Sequence, residues 1–326
     1  MSPLRRLMMM LPIACLALAP AAPAVAQSWP SKPMRLIVPY PPGGPTDLVG
    51  RLYAQKLSEM LGQPMVAENR SGANGNIAAQ LAAKSPADGS TFILHSSSLV
   101  INTLMYRVIG YDAFADFTPI SQLFDYKLVV VVHPSVPVKT FAELVAMAKA
   151  QPGKLTYGSA GGAGAPTHLA VEMFKQIAGV NFTHVPYQGG APATNDLLGG
   201  HINLMFNNPT QSLPYIKAGQ LRGLAVTGLE RNPMAPDLPT VAELGYPGFD
   251  VGTWFALWGP PGLSPEIVRA LHAAVVKVAA MPDVQERLAA NGLRSIAGTP
   301  EELAAVMKRD HQSWGKVIRE ADIRIE

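Results

Sequence analysis

The chain has 326 residues, more than a single hydrophobic core of roughly 250–300 residues normally serves, so two lobes or domains are expected. It is 48% hydrophobic and 15% charged, which excludes a disordered chain. A formal charge of +3 without a basic stripe excludes the footprint of a nucleic-acid binder.

In chain order the first feature is an export signal. Arg5 and Arg6 precede an apolar stretch from Leu7, and Ala24-Val25-Ala26 supplies a small-x-small cleavage site. Residues 1–26 therefore read as a signal peptide, with a mature chain from Gln27 and a periplasmic destination. Pro12, Pro20 and Pro23 interrupt the stretch, which argues against a membrane anchor. The one cysteine, Cys15, lies inside the segment, so disulfides, thiolate catalysis and cysteine metal sites are excluded from the mature chain.

Beyond Gln27 short apolar runs alternate with helical patterns. Strands are predicted at Arg35–Val38, Met65–Glu68, Thr91–His95, Leu128–His133, Lys154–Tyr157, Phe182–Pro186, His201–Phe206 and Leu221–Thr227. Helices are predicted at Leu48–Leu61, Phe141–Ala150, His168–Ile177 and Ala191–Leu198. Thr140 with Glu143 and Thr299 with Glu302 form capping boxes. Ser264-Pro265 opens a helix with Ile267, Val268, Leu271, Val275 and Val278 on one face. After about residue 255 the chain reads as helices only, packed around an existing sheet. The alternation predicts an α/β fold with mainly parallel sheets. Leu128–Val132 and Leu221–Thr227 are read as crossovers, which places one lobe at residues 27–127 and 228–326 and the other at 128–227. A hinged pair of lobes puts a ligand cleft between them.

Two glycine-rich loops between strand and helix carry the chemistry. In Pro39-Tyr40-Pro41-Pro42-Gly43-Gly44-Pro45-Thr46-Asp47 the prolines stiffen the loop, while Gly43 and Gly44 are expected at φ > 0 as an anion nest. Thr46 or Asp47 is expected to cap the following helix, whose N-terminus favours an anion. Tyr157-Gly158-Ser159-Ala160-Gly161-Gly162-Ala163-Gly164-Ala165-Pro166-Thr167-His168 is its counterpart in the other lobe. It matches no dinucleotide fingerprint or P-loop, and Tyr157 stands where a nucleophile elbow around Ser159 needs glycine. Ser96-Ser97-Ser98 and Asn207-Asn208 end strands at the edge where α/β proteins bind ligands. None of these segments contains lysine or arginine, so an anion would be held by backbone dipoles, hydroxyls and water. The histidines, His95, His133, His168, His184, His201, His272 and His311, show no metal-ligand spacing, and His168 and His184 are placed near the cleft in structural roles.

Taken together, the mature chain resembles the Bug proteins, extracytoplasmic receptors of tripartite tricarboxylate transporters. The motifs are Pro39 to Asp47, Glu68-Asn69-Arg70-Ser71-Gly72-Ala73, Pro86-Ala87-Asp88-Gly89, Tyr157 to Gly161, His184-Val185-Pro186-Tyr187, Ala218-Gly219-Gln220-Leu221-Arg222 and Leu238-Pro239-Thr240-Val241-Ala242-Glu243. The resemblance implies a two-lobed type II periplasmic-binding-protein fold, no enzymatic activity and no cofactor. It also implies a small carboxylated ligand that the loop Tyr40–Asp47 approaches partly through water, with Ser159–Thr167 on the opposite lobe. Two departures stand out. The second glycine loop is one residue longer than the common pattern, with Ala165 where a hydroxyl is frequent and Thr167 as its substitute. Asn207 stands where many relatives carry aspartate, and asparagine neither pairs with an amine nor repels a carboxylate.

The ligand-binding set expected from these readings is Tyr40, Gly43, Gly44, Thr46, Asp47, Ser96, Ser97, Ser159, Gly161, Thr167, His168, Tyr187 and Asn207, with no catalytic or metal-ligating residue. The expected partners are the carboxylate and the membrane subunits of such a transporter, with no nucleic acid and a monomeric receptor. A sensor that signals without transport is the alternative from sequence. A secreted hydrolase using Ser159 or a cleft histidine is opposed by the missing elbow, thiol and metal ligands.

Overall fold

Met34–Val38 forms β1, a buried run in which Arg35 alone is partly exposed. The computed structural model describes residues 29–320 and 323, and the predicted signal segment, 1–26 with Cys15, lies outside the described residues. β1 leads into α1 (Pro45–Leu61) and pairs in parallel with β2 (Met65–Asn69) and, after α2 (Asn76–Ala83), with β3 (Thr91–Ser96). A short α3 (Ser98–Ile101) follows, then β4 (Thr118–Lys127). Two residues later the chain enters a second sheet as β5 (Val129–Val132), all four residues buried.

The second lobe continues through α4 (Phe141–Ala150), β6 (Thr156–Ala160), α5 (Pro166–Ala178), β7 (Thr183–Tyr187), α6 (Gly190–Leu198), β8 (Leu204–Asn207), α7 (Pro209–Lys217) and β9 (Arg222–Val226). β10 (Gly252–Gly259) returns to the first sheet, followed by α8 (Pro265–Ala279), α9 (Pro282–Ala289), β11 (Arg294–Ser295) and α10 (Pro300–Glu320). The sheet orders are β11-β4-β10-β3-β1-β2 and β7-β6-β8-β5-β9. A single apolar cluster runs through the crossing, from Leu36 and Phe92 past Phe124, Leu128 and Val130 to Phe174. In each lobe the C-terminal ends of parallel strands (β1 and β3, β6 and β8) carry the loops that reach the cleft.

Local signals act as expected at the helix starts. Thr140 and Glu143 form a reciprocal capping box, Thr299 and Glu302 exchange the same pair of bonds, and Ser264 caps α8. On α8, Leu271, Val275 and Val278 are fully buried, with Ile267 and Val268 packed partly against the core.

Three expectations are corrected. The sheets are mixed, because β10 runs antiparallel to β3 and β4, and β5 antiparallel to β8 and β9. Each is the strand by which the chain enters a sheet from the other lobe, so it arrives in the opposite sense. Second, the chain beyond residue 255 is not purely helical: β10 extends to Gly259 as an interior strand and β11 pairs with β4. Third, β4 and β10 were not legible as strands. Their pairing contains two register shifts, which break the period-2 alternation that marks a strand.

Candidate functional site

The loop after β1 is shaped by one carboxylate. Asp47 accepts hydrogen bonds from the Gly43 N–H (3.1 Å), Arg51 Nε (2.9 Å) and Asn69 Nδ2 (3.0 Å), and Asn69 Nδ2 also donates to the Tyr40 carbonyl (2.9 Å). Burial pushes the Asp47 carboxyl up, but the bonds from Arg51, Asn69 and Gly43 outweigh that and hold it below the usual carboxylate range. Asp47 thus buckles the loop and is neither a helix cap nor a group presented to the cleft. Gly43 takes φ +91°, whereas Gly44 is extended at φ −91°, ψ 173° and is the N-cap of α1. The expected pair of left-handed glycines is therefore one, and the helix begins at Pro45, not Leu48. Proline has no N–H and the Leu48 N–H is bonded to the Gly44 carbonyl, which leaves the Thr46 and Asp47 N–H groups at an open helix end.

The second lobe repeats the device. α5 opens with Pro166 behind Ala165, and Thr167 Oγ1 accepts from the Ala160 N–H (2.9 Å) and donates to the Ala160 carbonyl (3.1 Å). α6 opens at Gly189-Gly190. α7 is capped by Asn208, whose Oδ1 accepts from the Gln211 N–H (2.9 Å).

These four helix starts meet at one cavity, partly open to solvent. Gly44, Pro45 and Thr46 line it from α1, Pro166 and Thr167 from α5, Gly189 and Gly190 from α6, and Asn208 from α7. Tyr40, Pro41, Ser96, Tyr126, Ala160, Thr253 and Phe255 complete the wall, and none of the lining residues is charged. Tyr40 Oη and Ser96 Oγ are hydrogen-bonded at 2.6 Å, and burial raises the Tyr40 pKa so that its phenol stays neutral. Converging N-terminal dipoles favour negative charge without a fixed cation, and they act strongly where water is scarce. Among the described residues no cluster of histidine, cysteine, aspartate and glutamate suits a metal ion.

The lobes lie closed on this cavity. Gln211 Nε2 donates across the cleft to the Gly43 carbonyl (3.3 Å), and Thr210 Oγ1 to the Asn291 carbonyl (3.1 Å). Gly189 meets Pro41 so closely that a Cβ there would fall 2.8 Å from Pro41 Cδ.

A family profile described as the tripartite tricarboxylate transporter family receptor matches residues 49–323. The chain belongs to this receptor family. It is 36% identical to protein BugT of Bordetella pertussis over 308 residues, covering 94% of each chain. Among solved structures it resembles an R. palustris protein with adipate (39% identity, TM-score 0.88, covering 91% of this chain and 99% of that one). It also resembles MatC from Rhodopseudomonas palustris with bound malate (29% identity, TM-score 0.82, covering 89% and 100%). These likenesses cover both lobes and agree with the two-lobed fold.

Of the residues singled out in the receptor's sequence, the cavity brings together Tyr40, Gly44, Thr46, Ser96 and Thr167. The others lie behind it. Gly43 and Asp47 form the buckle, and Ser97 Oγ contacts Thr253 Oγ1 at 3.2 Å. Ser159 is fully buried, bonded to the Gly162 carbonyl and to His184 Nε2, so its hydroxyl meets no ligand. Gly161 packs on Asn74 and Tyr40, and the Tyr187 hydroxyl donates to Asp196 (2.7 Å). Asn207 is fully buried, bonded through Nδ2 to Thr194 and through Oδ1 to the Asn208 N–H, and it is Asn208 that faces the cavity. Two stretches that line the cavity had a signal in the receptor's sequence: Gln188-Gly189-Gly190 is a third strand–glycine–helix turn, and Asn208-Pro209 is a helix start. Tyr126, Thr253 and Phe255 had none, because they sit on the two strands that the register shifts disguised.

His168 is likewise internal. Its ring stacks on His184 with centroids 4.1 Å apart, His184 stacks on Tyr157, and His168 Nδ1 accepts from the Gly164 N–H (2.9 Å). Burial lowers the pKa of both rings from 6.5 to about 4, and at His184 the charge of a protonated His168 lowers it further. His95, fully buried, is lowered by burial to about 4 in the same way. The folded receptor therefore resists protonation where the unfolded chain accepts it. Stability from these neutral histidines is complete above about pH 6.5 and is lost as pH falls towards about 4. Thermal melts should show a steady Tm above pH 7 and a decline below about 6.5, shallower in His184→Gln. A Tm that stays level down to pH 4.5 would refute the assignment.

Proposed function

We propose that the protein is an exported receptor that closes its two lobes over a small carboxylate in the periplasm and delivers it to the membrane subunits of a tripartite tricarboxylate transporter. The observation that carries this reading is the uncharged cavity to which both lobes contribute helix N-termini. A ligand touching both lobes binds the closed state better than the open one, which is the differential affinity that closure requires. Relatives solved with adipate and malate support a carboxylate as the ligand class. In this reading residues 1–26 direct export, 27–127 and 228–326 form one lobe, and 128–227 the other, in line with the sheet each strand joins. The receptor acts as a monomer, without cofactor or nucleic acid. None of the described helices is long and apolar enough to cross a membrane.

A thermal-shift screen tests the ligand class. An acid present at about 100 times its Kd stabilises the folded state by about 2.7 kcal/mol, a shift of several degrees. Small carboxylates are expected as the hits, with neutral sugars and cationic amino acids silent. A sugar as the sole hit would sink the anion reading.

A further inference from the structure

A second, more open cavity lies behind the strands that floor the first. Side chains alternate across β4 and β10: Tyr126 and Thr253, paired in the register, line both cavities, whereas the next pair, Asp125 and Trp254, lines the second alone. Lys127 and Asp250 bring it to the points where the chain leaves the first lobe and re-enters it, and α10 supplies Val306, Arg309, Asp310 and Trp314. Most of its charges cancel. Arg294 bonds both oxygens of Asp125, and Lys127 pairs with Asp250. Two opposite charges are left over. Asp310 accepts a bond from Trp254 Nε1 (2.6 Å) on one oxygen, while its Oδ1 receives none among the described residues. Burial raises the Asp310 pKa, and the Trp254 bond, Arg309 and Lys127 offset this only in part. Arg309 is exposed and bonded to no acceptor among the described residues. Adjacent positions on a helix do not face each other, and no ion pair joins Arg309 to Asp310.

A cation and a carboxylate held apart on one wall match a ligand that carries both charges. A partly buried carboxylate with a free oxygen gains most from an ammonium group, and a free guanidinium from a carboxylate. A simple anion would meet Asp310 and a simple cation Arg309, so either alone is disfavoured. Beside them Trp254, 8% exposed and packed on Trp258 (centroids 6.0 Å), forms an apolar surface with Ile296 and Val306. Gln122 and Trp314 add N–H donors that no described residue uses. We infer that this cavity is a second ligand site, for a free α-amino acid with an apolar or aromatic side chain. Asp310 Oδ1 takes the ammonium, Arg309 the carboxylate, and the Trp254 wall the side chain. The site is separate from the interlobe cleft and does not depend on what the cleft binds.

Calorimetry with L-leucine, L-phenylalanine and L-phenylalaninamide, which keeps the ammonium and lacks the carboxylate, tests this on wild type, Arg309→Gln and Asp310→Asn. Wild type is expected to bind at least one of the two amino acids, and phenylalanine at least tenfold more tightly than its amide. Arg309→Gln should lose at least tenfold on the amino acid and little on the amide, so that the ratio collapses. Asp310→Asn should lose at least tenfold on both, since asparagine still accepts from Trp254 but no longer attracts an ammonium. Thermal melts check folding, and should Asp310→Asn unfold, the exposed Arg309→Gln decides. Both variants should bind the cleft acid found by the screen as wild type does. No binding of either amino acid by wild type overturns the inference, leaving a cavity that holds water only. Amino-acid binding that Arg309→Gln leaves unchanged, or that Gly44→Val in the cleft abolishes, places the amino acid elsewhere and overturns it too. Either failure leaves the carboxylate-receptor reading standing.

Discussion

Replacing Gly44 by valine is expected to leave a cooperative unfolding transition and to weaken binding of the acid found by the screen at least about 100-fold, about 2.7 kcal/mol. Gly44 adopts φ −91°, ψ 173°, which a valine backbone accepts, and a Cβ there meets no atom within 4 Å. Its glycine is therefore not required by backbone geometry, in contrast to Gly43 at φ +91°. Gly44 lines the cavity beside the open N–H groups of α1, so an added isopropyl group projects into space that a carboxylate or its bridging water would occupy. Calorimetry on matched samples decides the matter. Normal binding by a folded variant would mean that the first-lobe loop holds no part of the ligand.

The second large effect is expected at Gly189, for a different reason. Its backbone is extended at φ −169°, ψ 172°, open to any residue, yet an alanine Cβ would lie 2.8 Å from Pro41 Cδ and 3.1 Å from Pro41 Cγ across the cleft. Pro41 cannot swing aside as a long flexible side chain would, because its ring is part of the backbone. Gly189→Ala should therefore fold normally but oppose closure, with a loss of affinity of at least about tenfold, about 1.4 kcal/mol. Small-angle scattering separates the two variants. Gly189→Ala should have a larger radius of gyration than wild type and contract less when saturated with ligand, whereas Gly44→Val in the ligand-free state should match wild type. A Gly189→Ala protein that contracts fully and binds normally would show that closure leaves more room at Pro41 than this packing implies.

Much of this receptor could be read from sequence because the relevant physics is local. Buried strands such as Met34–Val38 and Val129–Val132 are continuous apolar runs, and capping pairs such as Thr140 with Glu143 act within a single turn. The lack of fixed charge in the two glycine loops was legible too, since they contain no lysine or arginine and each precedes a helix. Tertiary structure decided which of those residues face the cavity. Asp47 turned inward because Arg51 and Asn69, four and twenty-two residues away, bond its carboxylate. Asn207 and Asn208 exchanged the expected role because β8 ends at Asn207, whose side chain Thr194 of α6 claims, while Asn208 stands outside the strand as the cap of α7. Tyr126, Thr253 and Phe255 form the hinge-side wall only because β4 and β10, more than a hundred residues apart in sequence, pair in a register broken by bulges. Sequence alone determined the lobes' building blocks and the lack of fixed charge in the two glycine loops. The cavity's shape arises from contacts between distant segments, which local periodicity does not encode.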